Sequence, residues 1–585
     1  MRFLMAALAF SALALAQTAE QDPVLRAMTD ELARSRGLRV LDLDKPYYIG
    51  YAIEDADTFL ATGVLGGLLG ANRNRSRIPQ VEVRTGDYSF DNTNHITSGM
   101  YNAARYDPER WPLDNNYAIL QQCLWLATDR AYKGSLEALA RKRASLKNAA
   151  AGDLLPDFYK IDVVKSIQPV KLPNYDEDAW TKAVVKLSGL FNSYPEIYTS
   201  SVSLQFFRGT SWFASSEGAL QRNADTLFEL RTRADAQAAD GMLIHDATGF
   251  ATLDLGALPP EAEARRAFSE VADNVRNLLK APVGESYSGP VLFEGIAGAQ
   301  LLAQLVGDNL RIPRRPISDP GRPIPFLPSD FETKLGSKIL PEWMDVVDDA
   351  TQKEYRGHPL AGSYPFDMEG VAPKPIVVVE KGVLKSFLTT RQPVKGANGS
   401  TGHARLQGGA GARAAAISNL FVKSSQGAPA SKMKAQLIDL IKQRGKPYGL
   451  LVRKLDYPSS ASVRELRGML TGMSGAGGGS RPVSPPVLVY RVYPDGREQL
   501  VRGMRFRGLN ARSLRDIVTA SEETYAFDFV NNGAPFAMIG AGGYLAPATV
   551  VAPALLFDEV ELEQAQDEAS KPPIVPPPAL DIAVR

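Results

Sequence analysis

Apolar residues along the chain follow two rhythms, one in each half. Residues 46–57 and 78–89 carry β-branched and aromatic side chains in partial alternation around a glycine-rich stretch, 63–70, which predicts strands of an N-terminal sheet. Residues 115–148 contain no proline and place Leu120, Leu124, Ala127, Ala131, Leu136 and Leu139 at helical spacing, ending on Arg141, Lys142 and Arg143; this predicts a helix. Helices are also expected over 176–194 and 260–279, the second with Pro260 at its start and acidic residues in its first turn. Between them, 197–208, 209–216, 226–232 and 239–247 read as strands, with a turn at Arg208-Gly209.

From residue 290 the rhythm changes. Residues 290–309 run from an apolar strand into a helix with a stripe of Ile296, Leu301, Leu302 and Leu305, and six prolines within 311–328 forbid another helix there. Beyond residue 339 short strands dominate, at 344–348, 375–380, 383–389, 420–423, 450–455, 487–492, 498–502 and 548–556. Hairpin turns fall at Glu380-Lys381-Gly382 and Pro494-Asp495-Gly496. The expected fold is α+β: a mixed helix/sheet domain over 17–285, then a β-rich domain, barrel or sandwich, over 286–560. A Gly/Ser/Pro linker at 472–486 and a Pro-rich tail at 561–585 complete the division.

Composition narrows the function. Of 585 residues 44% are hydrophobic and 22% charged, which is globular usage, and 66 basic against 65 acidic residues leave a net charge of +1. No overall field would draw the chain to nucleic acid or an anionic membrane. A single cysteine, Cys123, excludes an intrachain disulfide and any zinc site built on cysteines alone; it is expected as a small apolar residue of the 115–148 helix. The four histidines, His95, His245, His358 and His403, show no spacing that puts two imidazoles on one helical face. Residues 1–16 have the order of an export signal: Arg2, an apolar run and Ala14-Leu15-Ala16. A periplasmic or secreted protein beginning near Gln17, without a membrane span, is expected.

Among isolated candidates, His403 reads as a general base, a replacement metal ligand or an exposed loop histidine, with His358 a weaker choice. Asp348-Asp349 and Asp367/Glu369 suggest turn-holding carboxylates before a glycosidase pair. The string Gly472-Met473-Ser474-Gly475-Ala476 lacks the last glycine of a nucleophile elbow, and 408–413 lacks the Lys-Ser/Thr of a phosphate loop. Arg73, Arg75 and Arg77 read as a solvated basic loop or a partner contact.

Residues 290–405 resemble the TldD/PmbA metallopeptidase family, also known as modulators of DNA gyrase. The segment PVLFEGIAGAQLLAQLVGDNL resembles the strand and helix that carry H-E-x-x-x-H in that family. Further on, Asp348-Asp349-Ala350-Thr351, with Ala350 in place of the proline of the family's D-D-P-T, the run FDMEGV at 366–371, EKGVLK at 380–385 and STGHAR at 400–405 match its later blocks in order. The likeness runs loosely from about residue 195 to about residue 560. It implies a zinc peptidase in which two histidines and a downstream cysteine hold the metal while the glutamate activates water. Here Phe293 and Gly298 stand at the histidine positions, Glu294 is kept, and no cysteine lies within 525–533. The resemblance therefore implies a metal-less subunit, without its own cofactor, that pairs with a ligand-bearing TldD-like paralogue, or with itself, on extended peptide substrates. An active enzyme with a non-standard metal site and a non-enzymatic peptide-binding scaffold are the alternatives. Glu294 alone is expected as a carboxylate at a helix N-terminus.

Overall fold

The computed structural model describes residues 21–96, 105–106, 111–147, 155–315, 317–318, 328–407, 413–458, 483–531 and 546–565. Residues 1–16, expected as an export signal, most of the proline-rich stretch, the 408–412 glycines, the 472–476 string and nearly all of the tail lie outside them.

The N-terminal half is built on a seven-stranded sheet. Strands β1 (Pro46–Val64) and β2 (Gly67–Thr85) form one long hairpin; β3 (Thr199–Ser215), β4 (Leu220–Gln237) and β5 (Leu243–Thr252) follow, with short strands at Arg105–Tyr106 and Lys165–Ile167 at the flanks. The glycine-rich stretch expected as a separator is the hairpin tip: Leu65 (φ 50°) and Gly66 (φ 80°) turn the chain while Gly63, Gly67 and Gly70 belong to the strands. The turn expected at Arg208-Gly209 is absent, because β3 pairs with β1 without interruption from Gly50↔Ser215 to Gly63↔Val202. Gly209 serves close approach instead, since a Cβ there would lie 2.4 Å from the Asp55 carbonyl oxygen.

Helices α1 (Pro23–Ser35), α2 (Tyr117–Leu146), α3 (Glu177–Ser188) and α4 (Glu261–Lys280) cover one face of this sheet in two groups. Ile49, Tyr51 and Ile53 of β1 pack with Val24, Leu25, Leu120 and Leu124 of α1 and α2. Phe59 and Ala61 pack with Val184 of α3 and Phe268, Val271 and Val275 of α4. The opposite face meets the C-terminal half: Gln221 donates to the Gly370 carbonyl at 2.8 Å, and Leu227 and Ala251 cluster with Val530.

Glu54, Asp225 and Glu229 share the face of Gln221 by strand alternation and register. Burial raises all three carboxyls, and neighbouring Asp225 and Asp55 help carry Glu54 to about 7. A carboxyl whose folded-state pKa is raised stabilises the fold below its unfolded pKa and loses that contribution as pH rises through the folded value. Glu54→Gln removes the titration. The stability of the variant relative to the parent is expected to improve by on the order of 2 kcal/mol between pH 4 and pH 8, read by denaturant titration. A pH-independent difference would refute the assignment.

The C-terminal half centres on an eleven-stranded sheet. Its strands are β6 (Tyr287–Phe293), β7 (Met344–Asp348), β8 (Ile376–Glu380), β9 (Asn419–Ser424), β10 (Gly449–Leu455), β11 (Pro486–Val492), β12 (Glu498–Val501), β13 (Met504–Arg507), β14 (Ile517–Asn531), β15 (Ala546–Gln564) and the short Val383–Leu384. The path runs from Val383–Leu384 through β8, β7, β9, β15, β6, β10 and β11 to β12, with β13 and β14 also paired to β15. It does not close, so the barrel alternative gives way to an open, layered sheet. Helix α5 (Ile296–Leu305) packs with Val291 and Phe293, while α6 (Ala430–Gln443) packs with Leu292, so β6 lies between helices. Among the described residues no helix is long and apolar enough to cross a membrane.

Candidate functional site

The junction of β6 and α5 carries Glu294. Gly295, at φ 59°, turns the strand into the helix, and the Glu294 N–H donates to the Val452 carbonyl at 2.9 Å. No side chain caps α5, so the expected helix-end role for Glu294 is replaced by an ion pair: Arg453 Nε donates to Glu294 Oε2 at 2.7 Å. Arg453 also reaches Glu498 at 3.1 Å, Lys434 reaches Glu498 at 2.6 Å, and the Arg453 guanidinium lies 4.6 Å from the Tyr490 ring centre. Burial pulls the Arg453 guanidinium down, but Glu294 and Glu498 more than offset this and hold it firmly charged. Glu294 is thus a half-exposed carboxylate already committed to a cation.

The two positions flanking it offer no donor to a metal. Phe293 is fully buried against Phe506 and Phe557, with ring centres 5.9 and 5.4 Å away. At Gly298 a Cβ would stand 2.3 Å from the Pro553 carbonyl oxygen, so β15 occupies the space an imidazole would need. Among the described residues no cluster of three or more His, Cys, Asp or Glu has metal-binding geometry. The residues present do not fit the zinc that the resemblance implies.

His403 is not the exposed loop histidine expected from its surroundings. It is fully buried; Nε2 lies 2.9 Å from Asp348 Oδ1, and Nδ1 lies 2.9 Å from the Thr401 carbonyl and 3.0 Å from its hydroxyl. Asp348 also accepts from the Ser418 N–H at 3.0 Å and from the Ser418 hydroxyl. Both ring nitrogens are engaged within a buried cluster, an arrangement that holds the 400–405 loop against β7 and the start of β9.

The other carboxylates of the block divide in role. Asp349 accepts from the N–H and hydroxyl of Thr351, and Asp367 accepts from Glu369 and Val371 N–H groups, both at 2.9 Å, as the turn-holding reading requires. Asp348 instead anchors the histidine. Glu369 accepts from the Arg391 N–H at 2.6 Å; burial, then the charge of Asp367, push it up to about 7. Arg391 makes a two-pronged contact with Glu217 at 2.8 Å and ties this block to the N-terminal half. His358 is half-exposed and bonded to Asp528, chiefly the cause of its raised pKa.

Residues 288–474 match the family model described as PmbA/TldA metallopeptidase C-terminal domain. This block of the chain is a domain of the TldD/PmbA type. A curated relative, a metalloprotease of Archaeoglobus fulgidus, is 43% identical over 75 residues, 13% of this chain and 16% of the relative. The match thus spans well under two thirds of that relative. Among solved structures, TldE from Thermococcus kodakarensis aligns over 92% of this chain and 99% of its own at 12% identity and a TM-score of 0.55. A modulator of DNA gyrase from Thermotoga maritima aligns over 88% and 96% at 14% identity and a TM-score of 0.52. At these identities the likeness speaks for the fold. It reaches well beyond the 288–474 block that the TldD/PmbA model covers.

Of two further sequence candidates, the arginines change character and the cysteine does not. The arginines expected in a solvated loop lie on β2, and Arg77 is fully buried, bonded to Asp55 and to the Pro112 and Asp114 carbonyls. Cys123 lies on α2, partly buried against the α1/α2 cluster, with its thiol pKa raised by burial. Sequence reasoning missed Arg453 because its partner is 159 residues away. It also missed α6, although Met433, Leu437 and Ile441 stand at fourfold spacing.

Proposed function

We propose that this chain is the metal-less member of a peptidase pair, acting beside a TldD-like paralogue that carries H-E-x-x-x-H, and that it is exported. The observation that carries the reading is the β6–α5 junction, where the strand and helix persist while Phe293 fills the core and Pro553 closes the space beside Gly298. Zinc chemistry then belongs to the partner, and Glu294, neutralised by Arg453, has no metal-bound water to deprotonate. Extended peptide is the substrate class. An open sheet ending on Glu498–Val501 suits strand addition, in which main-chain hydrogen bonds hold a peptide irrespective of its sequence.

The test is copurification from the native host followed by peptide cleavage with the chain alone, the paralogue alone and the mixture, each with and without chelator. Cleavage is expected only when the paralogue is present, to rise on mixing and to vanish with chelator, while metal analysis of this chain alone gives less than stoichiometric zinc. Chelator-sensitive cleavage by this chain alone, equal to that of the mixture, would overturn the proposal. N-terminal sequencing of the native protein is expected to begin near Gln17.

A further inference from the structure

On the helix-bearing face of the N-terminal sheet, the two helix pairs pack in separate apolar clusters. Positions 49, 51 and 53 of β1 serve one apolar cluster and 59 and 61 the other, while the two residues of the same parity between them are Asp55 and Asp57. Above these lies a cavity of about 390 Å³, walled by Arg73, Arg75, Arg208, Leu113 and Leu172 among others.

Its charges are nearly all committed. Asp55 is held by Arg77 through two hydrogen bonds. Asp57 takes Arg73 at 2.6 and 2.7 Å and Arg208 at 3.0 Å; Arg73 also reaches Glu177 at 2.8 Å, and Arg208 the Pro173 carbonyl at 2.6 Å. Arg75 stands directly opposite Asp57 in the β1–β2 register, yet that carboxylate is already shared by its two neighbours. Among the described residues Arg75 makes no hydrogen bond or ion pair, although it lines the cavity. Beside it Leu113 is exposed and Leu172 partly so.

We infer that this cavity binds a monocarboxylate with a short aliphatic body, Arg75 pairing with the carboxylate while Leu113 and Leu172 cover the alkyl part. One uncommitted guanidinium matches one negative charge, and Asp55 and Asp57 on the same wall repel a second, which disfavours phosphate. A peptide C-terminus and a free branched-chain acid share this chemistry. The inference stands apart from the peptidase reading, because the residues that line the cavity all belong to the N-terminal half.

Calorimetric titration of the full chain with isovalerate, N-acetyl-Ala-Leu, its C-terminal amide and inorganic phosphate tests it. At least one acid is expected to bind, with the amide and phosphate weaker by about tenfold or more, and Arg75→Gln to weaken the acid by about tenfold while Arg75→Lys recovers part of the loss. Equal binding of both acids identifies a free-acid site, and binding of the dipeptide alone a chain-end site. Arg75→Gln removes no internal contact, so its melting temperature should match the parent; Leu172→Glu, which places a negative charge in the cavity, should abolish binding independently. No binding of either acid, an amide or phosphate as tight as the acids, or unchanged affinity in both variants would overturn the inference.

Discussion

Gly298→Ala is expected to destabilise the protein by about 2–4 kcal/mol, although alanine in a helix interior ordinarily improves on glycine by up to about 1 kcal/mol. The new Cβ would sit 2.3 Å from the Pro553 carbonyl oxygen and 3.4 Å from the Ala554 Cα, both backbone atoms of β15. Neither side can yield cheaply, because residues 297–305 of α5 are all buried and the facing β15 segment lies in the core. Gly134 on α2 is the internal control: no heavy atom lies within 4 Å of its added Cβ, so Gly134→Ala should gain about 0.5–1 kcal/mol. Chemical denaturation of the three proteins gives the comparison. If Gly298→Ala proved as benign as Gly134→Ala, α5 would have slack, and the argument that this site has closed would fail. Gly298→His, the change that would restore the family's second ligand position, should cost more still and bind no zinc.

The second large effect is expected at Asp348. Replacing it with alanine should cost about 3–5 kcal/mol, because its loss strands a buried histidine, a backbone N–H and a hydroxyl at once. Asp348 and His403 have fully buried side chains, so solvent cannot replace the lost partner. His403→Ala is expected to be destabilising too, and the double variant should show a coupling of about 1–3 kcal/mol in a thermodynamic cycle. A role for His403 confined to chemistry predicts instead that its removal leaves unfolding unchanged and only alters turnover. The cycle separates the two, and an additive result would remove His403 from the scaffold.

Part of this architecture could be read directly. The helices at Tyr117–Leu146, Glu177–Ser188 and Glu261–Lys280 and the strand–helix run at Tyr287–Leu305 are continuous apolar patterns with local start and stop signals. The turns at Lys381-Gly382 and Gly496 need positive φ, and glycine there announces it. Gly209 misled for the same reason: a glycine marks either a turn or a close approach, and the partner that decides, the Asp55 carbonyl, lies more than 150 residues earlier.

The candidate site divides along the same line. Sequence by itself determined the absence of histidine at 293 and 298, the retention of Glu294 and the single cysteine, because these are properties of residue identity. Tertiary structure decided that Arg453 neutralises Glu294, that Asp348 holds His403, that Pro553 closes the space beside Gly298, and that Arg75 has no hydrogen bond or ion pair among the described residues beside a cavity. Apart from Arg75, each of these joins residues at least 55 apart in the chain, and the Asp57 carboxylate opposite Arg75 is shared by Arg73 and by Arg208, 151 residues away. Charge pairing and burial depend on distance in space, and a linear pattern carries that distance only over the few residues of a helical turn or a strand repeat.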